Sequence, residues 1–222
     1  GIEAPNSQQA NLARDFLSDN VWLFEAYGTT KSSRILEVFQ YARKRYGISH
    51  FVVDSLAKCG FYEDDYGGQK DFVDRLMEFA GKHNVHVHLV VHMRKREDES
   101  KIPGKMDIKG TGAITDMVDN VFVVRRNKAK ETDREKGGHD SMTPDAVLNC
   151  VKQRETGIEP AVQLFFHPQS CQFLASPGDA PKQYFIGRWE KNIWKIGVTM
   201  YDFDLLELED WPYYQSAPPY MQ

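Results

Sequence analysis

The sequence predicts an α/β fold built on a largely parallel sheet flanked by helices. Three observations carry that expectation. Apolar runs of strand length at 21–26, 51–53 and 85–91 alternate with segments whose apolar residues recur at helical spacing. Several of these runs are continuously apolar, as strands covered on both faces are. Two of them stop at a polar residue, Asp54 and His92, which is where parallel sheets present ligand-binding groups.

Each element follows from local pattern. Leu12, Ala13, Phe16 and Leu17 place a helix over 7–18, and VWLFEA at 21–26 is a first strand. Gly-Thr-Thr-Lys-Ser-Ser at 28–33 breaks that strand and offers N-caps to the next helix. Ile35, Val38, Phe39, Ala42 and Tyr46 line one face of that helix, which Gly47 ends. FVV at 51–53 is a second strand, stopping at Asp54. Phe72, Leu76, Phe79, Ala80 and His83 mark the most regular amphipathic helix, and VHVHLVV at 85–91 is a third strand. A charged loop then runs to Asp107, followed by a glycine-flanked turn, a short helix around 114–118 and a fourth strand at 121–124. Residues 127–142 are hydrophilic, contain Gly137-Gly138 and read as a solvated loop. Two further strands follow at 146–152 and 162–166, with 172–175 returning as a hairpin partner. The expected division is a core over 1–175 and an extension over 176–222, aromatic and mildly basic at first, then acidic.

Composition narrows the function classes. The chain has 222 residues, 41% of them apolar and 27% charged, enough to bury a core. No run approaches eighteen apolar residues, so no membrane span is expected, and the N-terminal Gly-Ile-Glu-Ala-Pro-Asn is unlike a secretory signal. Lys and Arg number 28 against 32 Asp and Glu, a net charge of −4. Any nucleic-acid contact must therefore be a local basic patch. Three cysteines, Cys59, Cys150 and Cys171, suit a reducing cytoplasm and form no zinc pattern.

The motifs are individually modest. Phe51-Val-Val-Asp54-Ser55 has the form of a Walker B segment, an apolar strand delivering one aspartate to magnesium. The phosphate cradle G-x-x-x-x-G-K-[ST] is missing. Gly28-Thr-Thr-Lys31-Ser32 imitates it with a single glycine and too short a spacing. His86, His88 and His92 share strand parity, but His86 and His92 stand roughly 20 Å apart at strand rise, too far for one ion. The loop after His92 carries Arg94, Lys95, Arg96 and Lys109, diluted by Glu97, Asp98, Glu99 and Asp107. Lys152 and Arg154 lie two residues apart at a strand end and leave the same face, where they could clamp a phosphate.

In order, FVVDSL (51–56), HLVVHMRK (88–95), KGTGAITDMVDNVFVVRRN (109–127) and KQRETGIEPAVQLFFHPQSCQFL (152–174) resemble the RecA-like core of the hexameric replicative helicases. That family includes bacterial DnaB, the phage primase-helicases and Twinkle. The resemblance implies that Asp54 helps hold Mg2+ and that His92 senses the γ-phosphate of ATP or another NTP. It implies that Lys152 and Arg154 reach a neighbouring subunit's nucleotide in a homo-oligomeric ring. Arg94, Lys95, Arg96, Lys109 and the turn Gly110, Thr111 and Gly112 would face single-stranded DNA. The family's P-loop and water-activating glutamate precede the region matching Gly1, so the chain looks like the C-terminal portion of a larger protein and is expected to hydrolyse no ATP alone.

The expected role is thus ATP-dependent DNA unwinding in replication, in the cytoplasm of a bacterium or phage-infected host, with replisome proteins as partners of the acidic tail. Two alternatives share the fold: a recombinase- or clock-type ATPase, and a non-catalytic RecA-like module binding DNA or a replisome protein.

Overall fold

The computed structural model describes residues 7–18, 20–26, 28–62, 64–94, 104, 107–109, 112–138, 140–182 and 196–200. The chain is mixed α/β and forms two units: Gly1–Ala13, Met93–Ile108 and Gly112–Arg188 make one, and Arg14–His92, Lys109–Thr111 and Trp189–Gln222 the other. Helix α1 (Ser7–Ser18) precedes both sheets. No helix among the described residues is long and apolar enough to cross a membrane.

The second unit holds a four-stranded parallel sheet. Strands β1 (Val21–Glu25), β2 (His50–Val53), β3 (His86–Leu89) and β8 (Ile196–Met200) are arranged in the order β1-β8-β2-β3. Helix α2 (Ser32–Tyr46) closes on Gly47, whose φ of 68° is the left-handed cap that a residue without Cβ adopts freely. The expected side-chain N-cap is absent: Lys31 starts the helix with no side-chain bond. Helix α3 (Tyr66–His83) begins a turn and a half before its amphipathic stretch, because the Asp65 carboxylate accepts from the Gly68 N–H and outweighs two poor helix formers, Gly67 and Gly68. Phe51 of β2 packs between Phe39 of α2 and Phe79 of α3, with ring centroids 4.6 and 5.2 Å away. Phe51 and Val53 are buried while His50 and Val52 on the other face are half-buried, so β2 is less completely covered than its apolar sequence suggests.

The first unit holds a four-stranded antiparallel sheet in the order β4 (Asn120–Arg126), β5 (Ala146–Gln153), β6 (Ala161–His167) and β7 (Gln172–Leu174). The expected largely parallel sheet is thereby corrected, since half of the described strands run antiparallel. The reason is local. The Asn127 N–H donates to the Asp145 carbonyl at 2.8 Å and Arg126 pairs with Ala146, so β5 starts beside the end of β4. A parallel neighbour would require the chain to cross back first. The hairpin partner at 172–175 is present as β7, paired with β6.

Residues 127–142 are not the solvated loop their hydrophilicity predicts. They contain helix α5 (Lys128–Glu135), whose N-cap Asn127 accepts from the Lys130 N–H. Lys130 and Arg134, one turn apart, both reach the buried Asp145 carboxylate, at 3.1 and 2.5 Å. The Lys130 ammonium also donates to the Thr143 carbonyl. Charge pairing, not apolar periodicity, attaches this helix. Helix α4 (Gly112–Met117) lies just before β4, with Ile114 and Thr115 buried. Phe122, Val124, Val162 and Phe173 remain exposed on the sheet.

Candidate functional site

In the parallel unit the sites predicted at Asp54 and His92 stand at the carboxyl ends of adjacent, paired strands. Val53 pairs with Leu89, and two backbone bonds extend the ladder past the strands, from Val90 N–H to Val53 carbonyl at 2.9 Å and from Leu56 N–H to Val90 carbonyl at 3.0 Å. Asp54 and His92 are both exposed there, whereas Ser55 between them is buried. The Ser55 Oγ lies 3.2 Å from His92 Nε2. The turn after β1 reaches the same end, through a bond of 3.0 Å from the Thr30 N–H to the Lys58 carbonyl.

Among the described residues no three His, Cys, Asp or Glu side chains are grouped to hold a metal ion. One exposed carboxylate at a strand end nevertheless suits magnesium in its nucleotide-bound form, where water and phosphate oxygens supply most ligands. His86 and His88 lie within β3, before the strand end that leads to His92. They gather with His50, which pattern reading overlooked because it opens an otherwise apolar strand. His50 Nδ1 lies 3.4 Å from His88 Nε2, and the His86 ring lies 5.6 and 4.4 Å from the other two. Burial, then the neighbouring His86, holds both His50 and His88 below the ordinary histidine value.

The basic loop is closed at its base by an antiparallel bridge between Met93 and Ile108 and by a bond from the Arg94 N–H to the Asp107 carbonyl at 2.7 Å. Lys109 donates its N–H to the His92 carbonyl at 2.8 Å. Arg94 and Lys109 thus flank the two ends of this loop, and Gly112 opens α4. Lys95, Arg96, Gly110 and Thr111 lie outside the described residues.

In the antiparallel unit Lys152 and Arg154 do leave the same face, but both meet the C-terminus of α4. Lys152 Nζ donates to the Thr115 and Asp116 carbonyls, each at 2.8 Å. Arg154 Nη2 donates to the Asp116 and Met117 carbonyls at 3.1 and 3.0 Å, and its Nη1 pairs with Asp119 at 3.2 Å. Two cations at the negative end of a helix are electrostatically favourable. The carboxylate that pairs with Arg154, Asp119, comes from 35 positions earlier in the chain. A separate open pocket of about 460 Å³ between α5, β6 and β7 is lined by Lys130, Arg134, Asp145, Phe165 and His167, among others, and not by Asp54, His92, Lys152 or Arg154.

No family model matches the chain. A segment of 154 residues is 23% identical to the protein described as DNA helicase/primase from Enterobacteria phage T3, covering 64% of this chain and 25% of that protein. The chain is similar to a phage DNA helicase/primase. It spans about a quarter of that relative's length.

Proposed function

We propose that the chain is part of a RecA-like replicative helicase that couples NTP hydrolysis between subunits to movement along single-stranded DNA. The observation that carries the reading is the pairing of Asp54 and His92 at neighbouring strand ends, stitched together by Ser55. Asp54 would hold Mg2+, which when bound neutralises phosphate charge. His92 would contact the terminal phosphate. Lys152 and Arg154 divide their labour. Lys152 is half-buried with two short bonds to α4 and anchors that helix, whereas the Arg154 side chain is 52% exposed and its ion pair with Asp119 is a surface one, worth about 0–1 kcal/mol. To reach an adjoining subunit's phosphates Arg154 would give up this ion pair and its bonds to the Asp116 and Met117 carbonyls, which contacts to the phosphates would replace. Binding of DNA, through Arg94, Lys109 and their neighbours, would come mainly from phosphate contacts and weaken steeply with salt.

The 222 residues contain no P-loop, so the reading requires phosphate-binding backbone from elsewhere in the assembled protein. The decisive experiment compares the chain alone with a polypeptide carrying such a loop upstream. DNA-stimulated phosphate release should occur only in the latter and should vanish in Asp54→Asn. Turnover by the isolated chain, abolished by the same substitution, would overturn the reading. The alternative of a non-catalytic DNA- or replisome-binding module is favoured by one observation, the engagement of both Lys152 and Arg154 as caps of α4. It is the outcome if the longer polypeptide binds DNA but never hydrolyses NTP.

A further inference from the structure

We infer that Ser55 is a positioning residue that holds His92 in its Nδ1–H tautomer and so makes the ring a hydrogen-bond donor at the strand end. The inference deepens the proposed function and rests on it for the ligand, an anionic phosphate oxygen, but not for the tautomer itself.

The argument is one of satisfaction. Ser55 is 4% exposed. It begins the short 3-10 turn Leu56–Lys58, yet its hydroxyl makes no capping bond there. Its carbonyl is occupied by the Lys58 N–H at 2.9 Å and by Cys59 Sγ at 3.4 Å. Among the described residues the hydroxyl has one partner, His92 Nε2, contributed from 37 residues away. A hydroxyl can donate one hydrogen and accept others. If Nε2 carried the proton and donated, the Ser55 hydrogen would be left buried with no acceptor among the described residues. If Ser55 donates, every polar atom of the pair is used, and Nε2 must be the bare nitrogen.

The ring proton then sits on Nδ1. His92 is exposed, and so is Asp54, the residue adjoining Ser55 in the chain. A neutral imidazole in this tautomer offers an N–H to a phosphate oxygen; in the opposite tautomer it would present a lone pair and repel it. Because Ser55 follows directly on the Walker B-like strand, the hydroxyl also ties the donor's placement to that of Asp54. A displacement at either strand end is felt at the other.

The test reads the tautomer directly. Long-range 1H–15N correlation spectra of the 15N-labelled 222-residue chain, in mildly alkaline buffer, distinguish protonated from bare ring nitrogens, with His92→Gln identifying the signal. Wild type should show a protonated Nδ1 for His92. Ser55→Ala should shift it to the Nε2–H form that an unconstrained imidazole prefers, and Ser55→Thr should restore the wild-type pattern. A wild-type His92 already in the Nε2–H form overturns the inference without any variant, and so does a Ser55→Ala spectrum unchanged from wild type. In the longer, P-loop-bearing protein, Ser55→Ala should lower kcat for NTP about tenfold or more while leaving KM nearly unchanged, with recovery in Ser55→Thr. If that protein hydrolyses no NTP at all, the helicase reading fails, while the spectra still decide the tautomer.

Discussion

The two units place cationic and acidic groups by different means. In the parallel unit, Asp54 and His92 lie on loops beyond strand ends, and their proximity comes from in-register pairing of β2 with β3, continued by Val90 and Leu56 and locked by Ser55. In the antiparallel unit, Lys152 and Arg154 lie at the end of one strand and are placed by the carbonyls of α4. The first arrangement leaves the outward groups exposed. The second satisfies its cations internally. Strand register leaves its groups facing outward, while helix capping engages them.

The largest effect is expected on removing the Arg154 guanidinium. In the assembled, P-loop-bearing protein Arg154→Ala should cut turnover by about 10³–10⁵, as loss of an arginine finger does generally, with nucleotide binding retained. Arg154→Lys should be nearly as damaging, because an ammonium lacks the planar fork. Mixed rings of Arg154→Ala and Asp54→Asn subunits should regain some hydrolysis, since some interfaces then hold both intact groups. If rings form on mixing and activity stays absent, Arg154 serves only α4.

A second substitution separates the units by stability. Lys130 and Asp145 are buried, with side chains 6% and 9% exposed, and removing one partner leaves an uncompensated charge. Asp145→Ala should cost about 3–5 kcal/mol in denaturant unfolding. Hydrogen exchange should accelerate first in β5 and β6, where Asp145 also accepts the Phe166 N–H at 2.8 Å, and not in β2. Uniform acceleration would show that the two units unfold as one.

Acid should separate them too. Burial raises the Asp145 carboxyl, but the Phe166 N–H, Lys130 and Arg134 outweigh it and hold the group below its ordinary value of 3.8. Its contribution is present above that value and is lost only as pH falls through the lower folded one. In the parallel unit, burial and then His86 lower His50 and His88 beneath 6.5, so the unfolded chain takes up protons first as pH drops. Their stabilisation is complete above about 6.5 and declines below it. A thermal scan series from pH 7.5 to 5 should show falling stability, and His86→Gln should flatten the slope. A pH-independent midpoint in wild type would refute the histidine contribution.

The smallest effect expected is at Gly47. Its positive φ suits glycine, but a Cβ would meet nothing within 4 Å, so Gly47→Ala should cost only backbone strain, about 1 kcal/mol. A loss several times larger would mean that the α2 terminus is packed more tightly than its open surroundings indicate.

Much of this architecture was legible in the sequence where local chemistry is decisive. Alternating apolar runs and helical faces located β1 to β3, α2 and the amphipathic part of α3, and a strand that stops at a carboxylate marked Asp54. Period-2 side-chain alternation correctly put Lys152 and Arg154 on one face. These features depend on residues within a few positions of one another, and their physics is local. Tertiary structure alone decided the rest. Strand β8 comes from a segment read as an extension and lies between β1 and β2, because backbone pairing depends on register and not on side-chain pattern. Helix α5 is attached by cations meeting the Asp145 carboxylate just before β5, an interaction invisible to hydropathy. The same holds for Ser55, an ordinary residue after a conspicuous aspartate. Its burial and its bond to a histidine 37 positions away exist only once two parallel strands stand side by side.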